Sequence, residues 1–126
     1  MADYYLDSSA LVKRYVHEQG SDWVSTLFDA DPPHEIFIAV VTSVEVVAAI
    51  SRRTLGGTII AADATAACKH FRADLLSDYQ VVESNASLIN RAMNLAETYK
   101  LRGYDAIQLA SACEVNLLCI GSGLPP

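Results

Sequence analysis

The sequence contains no apolar run that approaches the roughly 20 residues needed to span a bilayer. Its N-terminus carries the acidic Asp3 and lacks the basic segment followed by an apolar one that a secretory signal requires. These two absences predict a cytoplasmic protein that does not associate with a membrane.

Cysteines and aromatic residues are also scarce. Cys68, Cys113 and Cys119 are odd in number, lie in apolar surroundings and lack the paired spacing of a zinc site. We therefore expect free, buried thiols rather than disulfides or zinc ligands. Aromatic residues make up only 8% of the chain, so aliphatic side chains dominate the core, as is usual where helices pack on a parallel sheet.

Basic residues are few for a protein that binds nucleic acid. The 9 Lys and Arg residues stand against 15 Asp and Glu, which gives a net charge of −6. Phosphate contacts nevertheless depend on local cations and not on the total charge. The basic residues either line one rim together or simply end helices in solvent, and they form four small groups: Lys13-Arg14, Arg52-Arg53, Lys69-His70 with Arg72, and Lys100 with Arg102.

The pattern of apolar residues predicts alternating strands and pairs of helices. Strands are predicted at 4–6, 36–41, 79–82 and 117–120, where short apolar runs are rich in β-branched or aromatic residues. Three helices are predicted to follow N-caps at Ser8 or Ser9, at Ser21 and at Ser84. A fourth is predicted to begin at Val44, and two more are predicted at about 60–76 and 104–114.

This order of elements predicts the fold class. Strands joined by helical crossovers of this length pair in parallel, and the crossovers are almost always right-handed. The fold is therefore expected to be α/β, a three-layer α/β/α sandwich with a mainly parallel central sheet. With 126 residues, of which 52% are hydrophobic, the chain is expected to form a single domain over 1–126.

Three carboxylates stand at a strand end or a helix start, namely Asp7, Glu45 and Asp105. Ligands bind beyond the carboxyl ends of strands in open α/β sheets. Each acid also has a structural alternative. The spacing from Thr42 to Glu45, and likewise from Asp105 to Gln108, is that of a capping box, and an acid near a helix N-terminus is stabilised by the helix dipole. Asp7 is the hardest to explain in this way, because Ser8 or Ser9 is available as the cap.

Taken together, the three acids favour a metal site. Carboxylates brought within several ångströms would repel and raise one another's pKa unless a cation neutralised them. Oxygen ligands of this kind select Mg²⁺ or Mn²⁺, which retain waters and accept phosphate oxygens. We expect such a site to hydrolyse phosphodiester bonds.

The segments that carry these acids resemble the PIN domain of the VapC type, the ribonuclease toxin of bacterial and archaeal type II toxin–antitoxin pairs. In chain order they are YLDSSALVK (5–13), TSVEVVAAISRR (42–53) and LRGYDAIQLASA (101–112). The resemblance implies that Asp7, Glu45 and Asp105 bind the divalent ion and are the catalytic acids, and that Ser8 either orders them or merely caps a helix. It also implies an RNA substrate, a VapB-type antitoxin partner and a homodimer.

The sequence departs from this family near its C-terminus. There the family usually has a fourth Asp in a Ser- or Thr-rich turn followed by further elements, whereas this chain has Gly123 at about that place and ends at Pro126. The chain is therefore expected to be a short or altered version of the domain at its C-terminus. Because the fourth acid is absent, we expect it to hold one metal ion weakly. At Gln108 the family often has His, a difference from which we expect no clear chemical consequence.

Two alternatives to a ribonuclease follow from these observations. One is a weakened PIN domain that acts mainly as an antitoxin-binding or interaction module. The other is a receiver-type phosphoacceptor domain, which has a similar length and architecture. A receiver needs an acid pair at the first strand end, an Asp after the third strand and a late Lys, but Asp7 has no acidic neighbour after it, Glu83 follows Val82, and no Lys lies beyond Lys100.

Overall fold

The structure, a computed structural model, describes residues 2–121. Within this range three strands form one sheet in the order β1-β2-β3: β1 (Asp3–Tyr5), β2 (Glu35–Ala39) and β3 (Gln80–Val82). Both strand pairs are parallel, with Tyr5 opposite Phe37 and Ala39 opposite Val82. The mainly parallel sheet is therefore confirmed.

Helices cover both faces of this sheet. The described helices are α1 (Ser8–Tyr15), α2 (Ser21–Phe28), α3 (Val40–Arg52), α4 (Ala61–Asp74), α5 (Ala86–Tyr99) and α6 (Gly103–Gly121). One core cluster contains residues of the four helices α1, α2, α3 and α4 together with Ile36 and Ile38 of β2. A second cluster contains residues of α5 and α6, and Val82 of β3 packs against it. Alternate residues of a strand point to opposite faces, so the sheet lies between two helical layers. The predicted three-layer α/β/α class is confirmed.

The predicted fourth strand is wrong. Residues 117–120 continue α6, which runs unbroken to Gly121. A short apolar run does not distinguish a strand from a helix by itself, and no Gly or Pro stands between Glu114 and Gly121 to end the helix. Gly123, where a fourth acid was expected, lies outside the described residues.

Several predicted boundaries and caps also differ. Residues 40 and 41 belong to α3 and not to β2, because Ala39 is already the cap of that helix. Ser21 was predicted to cap α2, but Gly20 is the N-cap and Ser21 is the first residue of the helix. The buried Oγ of Ser21 accepts a hydrogen bond from the Glu18 backbone N–H. Asn85, not Ser84, caps α5 by accepting from the Leu88 N–H at 2.9 Å.

The far end of α1 is held by an aromatic and ionic cluster. The Arg14 guanidinium lies 3.8 Å from the centre of the Phe28 ring and pairs with Asp74 at 3.3 Å and Asp78 at 2.9 Å. Burial alone would raise the pKa of Asp78, but the hydrogen bond from Arg14 lowers it below its ordinary value. This cluster anchors the helix that begins at Asp7.

Two further observations concern membrane-spanning helices and the cysteines. No helix between residues 2 and 121 is long and apolar enough to cross a membrane. Cys68, Cys113 and Cys119 are free thiols, with Cys119 buried and the others half-buried. The prediction of free thiols is therefore confirmed, whereas the predicted burial is confirmed only for Cys119.

Candidate functional site

The carboxyl ends of the parallel strands gather three helix starts at one end of the sheet. Asp7 follows β1 after one residue, and α3 begins directly after β2. The start of α6 lies at the same end, because the Tyr104 hydroxyl donates to Ser8 Oγ at 3.3 Å. Each of the three acids therefore belongs to an element that begins at this end.

Asp7 is the N-cap of α1. Its backbone is extended, and its Oδ1 accepts a hydrogen bond from the Ala10 N–H at 3.0 Å. The prediction that Ser8 or Ser9 caps this helix is wrong, because Asp is as good a cap as Ser and stands one residue earlier. The Asp7 side chain is exposed, so it can serve as a cap and still face a ligand with its second oxygen.

Glu45 is the sixth residue of α3, beyond the first turn. The predicted capping box from Thr42 to Glu45 is therefore wrong, since Thr42 lies inside the helix and is completely buried. Glu45 lies one turn after Thr42 on the same side of the helix and is half-buried. Its carboxylate has no capping role.

Asp105 is the third residue of α6 and is exposed. It does not cap the helix, because the carbonyl of Arg102 accepts from the Ala106 N–H at 2.9 Å and Gln108 turns inward instead of reaching back. The helix dipole stabilises an acid at this position by about 0.3–1 kcal/mol. That stabilisation does not prevent the carboxylate from meeting a ligand.

Gln108 links the elements that carry the three acids. It is 8% exposed, its Oε1 accepts from the Tyr5 hydroxyl, and its Nε2 donates to Thr42 Oγ1 at 2.7 Å and to the Tyr104 hydroxyl at 2.6 Å. Tyr104 in turn donates to Ser8. We call these five residues, Tyr5, Ser8, Thr42, Tyr104 and Gln108, the Gln108 network. It joins β1, α1, α3 and α6, the elements that carry or adjoin the three acids.

The Tyr5 hydroxyl stays protonated and therefore acts as a donor in this network. Burial raises the pKa of Tyr5 to about 12, and the charge of Asp7 contributes in the same direction. Tyr5 is therefore a hydrogen-bond donor at neutral pH.

The importance of Gln108 was not predicted. Its amide offers one acceptor and two donors and uses all three, so Gln108 has a structural role that was not foreseen from the sequence. A neutral His offers one donor and one acceptor and could not make the same set. The available signal was a Gln among Ala106, Ile107 and Ala110 on an otherwise apolar helix.

Comparison with known protein families identifies the chain. A model of the PIN domain matches residues 4–123, a range that includes Asp7, Glu45 and Asp105. The chain belongs to the PIN domain family. PIN domains are generally nucleases and typically use divalent metal ions, and this membership rules out the receiver-type alternative. No curated protein shows significant similarity to the chain.

The three acids of this PIN domain fit a divalent ion by chemistry more than by geometry. Carboxylate oxygens are the ligands that Mg²⁺ and Mn²⁺ prefer. In residues 2–121, however, no three side chains of His, Cys, Asp or Glu are grouped so that they could hold an ion. The expectation that the three acids lie within several ångströms as a ready ligand set is therefore not met.

Proposed function

We propose that this PIN domain is a metal-dependent endoribonuclease, the VapC-type toxin of a type II toxin–antitoxin pair, which hydrolyses RNA phosphodiester bonds in the cytoplasm. The observation that carries the proposal is the Gln108 network, which ties the elements bearing Asp7, Glu45 and Asp105 together at the carboxyl end of the sheet. Ser8 belongs to that network, which supports a role in ordering the site beyond that of a helix residue.

Mg²⁺ or Mn²⁺ is the proposed cofactor, with Asp7, Glu45 and Asp105 as its protein ligands and as the catalytic acids. Mg²⁺ is usually bound by one or two carboxylates together with waters and substrate phosphate oxygens, and seldom by a closed protein cage. We propose a single, weakly held ion, because the described residues contain no closed group of three ligands. When bound, the ion would supply charge stabilisation of the phosphate and an activated water.

RNA cleavage by wild type and by Asp7→Asn tests this function. Asn caps a helix as well as Asp does, so Asp7→Asn keeps the hydrogen bond to Ala10 while removing the charge. We expect Mg²⁺- or Mn²⁺-dependent cleavage of labelled RNA by wild type, at least 100-fold slower for the variant. Unchanged circular dichroism and thermal unfolding would show that the loss is chemical and not structural.

Glu83→Gln is the matched control. Glu83 is exposed and follows β3 at the same end of the sheet, so its replacement removes an equal charge from the same region. We expect it to retain near wild-type activity. Cleavage that survives EDTA, or that survives Asp7→Asn, would contradict the proposed function.

We also propose that the domain forms a homodimer and binds a VapB-type antitoxin. A groove of about 470 Å³ between α3 and α4, lined mainly by Val44, Val47, Ala48, Phe71 and Leu75, supports a protein partner. Val44 and Ile60 are more than 60% exposed, whereas Val46 is buried in the core. Light scattering at micromolar concentration should give the mass of a dimer, and a monomer would contradict it.

One observation favours a second candidate, a weakened PIN domain that acts mainly as an antitoxin-binding or interaction module. The described residues contain no three-ligand group, so basal metal affinity is expected to be low. Dimerisation together with undetectable cleavage at millimolar Mn²⁺ would support this alternative over the enzyme.

A further inference from the structure

The connection between α5 and α6 exposes an aromatic ring and two cations. Tyr99 is 64% exposed, and Lys100 and Arg102 are also exposed. Within residues 2–121 neither cation forms an ion pair, as is also true of Arg52, Lys69, Arg72 and Arg91. We call residues 99–102 the α5–α6 loop.

The backbone of Lys100 is in the left-handed region, at φ 59° and ψ 36°. It is the one non-glycine residue with positive φ in the described part of the chain. Glycine is favoured at such a helix end because it lacks a Cβ. The helix dipole stabilises a cation near the C-terminus of α5, which is one reason for a lysine here. A residue in an uncommon backbone conformation is also a signal of function.

Arg102 is placed against the local electrostatic preference. Its carbonyl accepts the first helical hydrogen bond of α6, so its charge lies at the N-terminus of the helix, where the dipole disfavours cations. It makes no ion pair within residues 2–121 to offset this cost. Positions that break a local rule without structural gain are expected at functional sites.

The loop lies beside the acids. Arg102 precedes Asp105 by three residues and shares its turn. The adjoining Tyr104 hydroxyl bonds to Ser8, the residue after Asp7. A chain with a net charge of −6 needs local cations to hold a phosphate backbone near carboxylates, and this loop supplies two of them.

We propose that the α5–α6 loop binds single-stranded RNA next to the acids, with Lys100 and Arg102 contacting phosphates and Tyr99 stacking on a base. A single strand is the favoured class because an exposed ring can stack only on a base that is not already stacked within a duplex. The proposal rests on the proposed function, since it names the form of RNA that reaches the acids.

Fluorescence anisotropy in EDTA measures this binding without cleavage. The probe is a labelled polyuridine of about 16 nucleotides, titrated with the full chain between about 50 and 200 mM salt. We expect the double variant Lys100→Gly with Arg102→Ser to bind more weakly and to lower the salt slope by about 1.4, since each lost phosphate contact on a single strand contributes roughly 0.7. We expect Tyr99→Ala to bind roughly 5- to 100-fold more weakly with the slope unchanged.

Matched controls separate this loop from general charge and exposure. The double variant Lys69→Ser with Arg72→Ser removes the same charge from exposed positions on α4. Trp23→Ala removes a ring of nearly equal exposure, 63%, on α2. Both controls should bind RNA as wild type does. The single variant Lys100→Gly should unfold at a higher temperature while binding RNA less tightly, a combination that a merely structural lysine would not give.

Three results would overturn the proposal. The first is that the wild type shows no measurable RNA binding, and the second is that the α4 control loses as much RNA affinity as the loop variant does. The third is equal affinity for a duplex of the same length together with no effect of Tyr99→Ala. Failure of the proposed function is distinguishable from failure of the loop. Loop-dependent binding without Mg²⁺-dependent cleavage would contradict only the enzyme, and cleavage that is unaffected by the loop variants would contradict only the loop.

Discussion

Replacement of Gln108 by Leu is predicted to destabilise the fold, because Gln108 is the central member of its network. The change keeps a side chain of similar length and removes three hydrogen bonds, to Tyr5, Thr42 and Tyr104. Thr42 is completely buried, so water cannot replace its lost partner. Tyr104 keeps Ser8 as an acceptor and is affected least.

The magnitude follows from the two hydroxyls that lose a partner. A buried polar group left without a partner costs about 1–3 kcal/mol, and loss of an ordinary hydrogen bond costs about 0.5–1.5 kcal/mol, so the completely buried Thr42 and the half-buried Tyr5 together cost about 1.5–4.5 kcal/mol. Burial of the more apolar leucine recovers roughly 1–2 kcal/mol. Taking the middle of each range, we expect the free energy of unfolding to fall by about 1.5 kcal/mol, and Tm by about 4 °C per kcal/mol for a domain of this size.

Urea unfolding followed by circular dichroism measures this loss, with Gln19→Leu as the control. Gln19 is exposed, so its replacement should change the free energy of unfolding by less than about 0.5 kcal/mol. A Gln108→Leu protein that loses no more than this control would refute the role we assign to the network.

Three further predictions concern single side chains. Asp7→Ala, which removes the α1 cap, should lower the free energy of unfolding by about 1 kcal/mol while Asp7→Asn leaves it nearly unchanged, as thermal unfolding would show. Because the pKa of Asp78 is lowered in the folded protein, its pair with Arg14 stabilises the fold at pH values above the unfolded pKa, which is near 4. This stabilisation is lost as the pH falls through the folded pKa. The difference in the free energy of unfolding between wild type and Asp78→Asn should therefore be below about 1 kcal/mol at pH 7 and vanish in acid. Gly123→Asp should increase Mn²⁺ affinity in a calorimetric titration, because it adds one negative charge where the family usually carries an acid.

The sheet was predictable from sequence, but the junctions around it were not. Short apolar runs at β1, β2 and β3 carry a strong local signal. The run from Ile36 to Val41 contains no breaking residue, so nothing local shows that Ala39 ends the strand and Val40 starts α3. The run at 117–120 was ambiguous for the same reason, and continuation of α6 determined its structure.

The positions of the acids were predictable, whereas their surroundings were not. Asp7 and Glu45 were found because each stands near a junction of a strand and a helix, and Asp105 because it stands near a helix start. Gln108 was missed because its partners come from elements up to 103 residues away, and no local pattern predicts such contacts. The capping role of Asp7 was missed because Asp, Ser and Asn are equivalent caps, so three adjacent candidates left the choice to the exact end of β1.

Calorimetric titration of the wild-type chain with Mn²⁺, repeated on Asp105→Asn, tests the central claim that Asp7, Glu45 and Asp105 form one divalent metal site. We predict one weakly bound ion per chain for wild type and no measurable binding for the variant, since Asp105 is exposed and its replacement leaves the interior intact. Absence of Mn²⁺ binding by wild type, tight binding of two ions, or equal binding by Asp105→Asn would contradict this account.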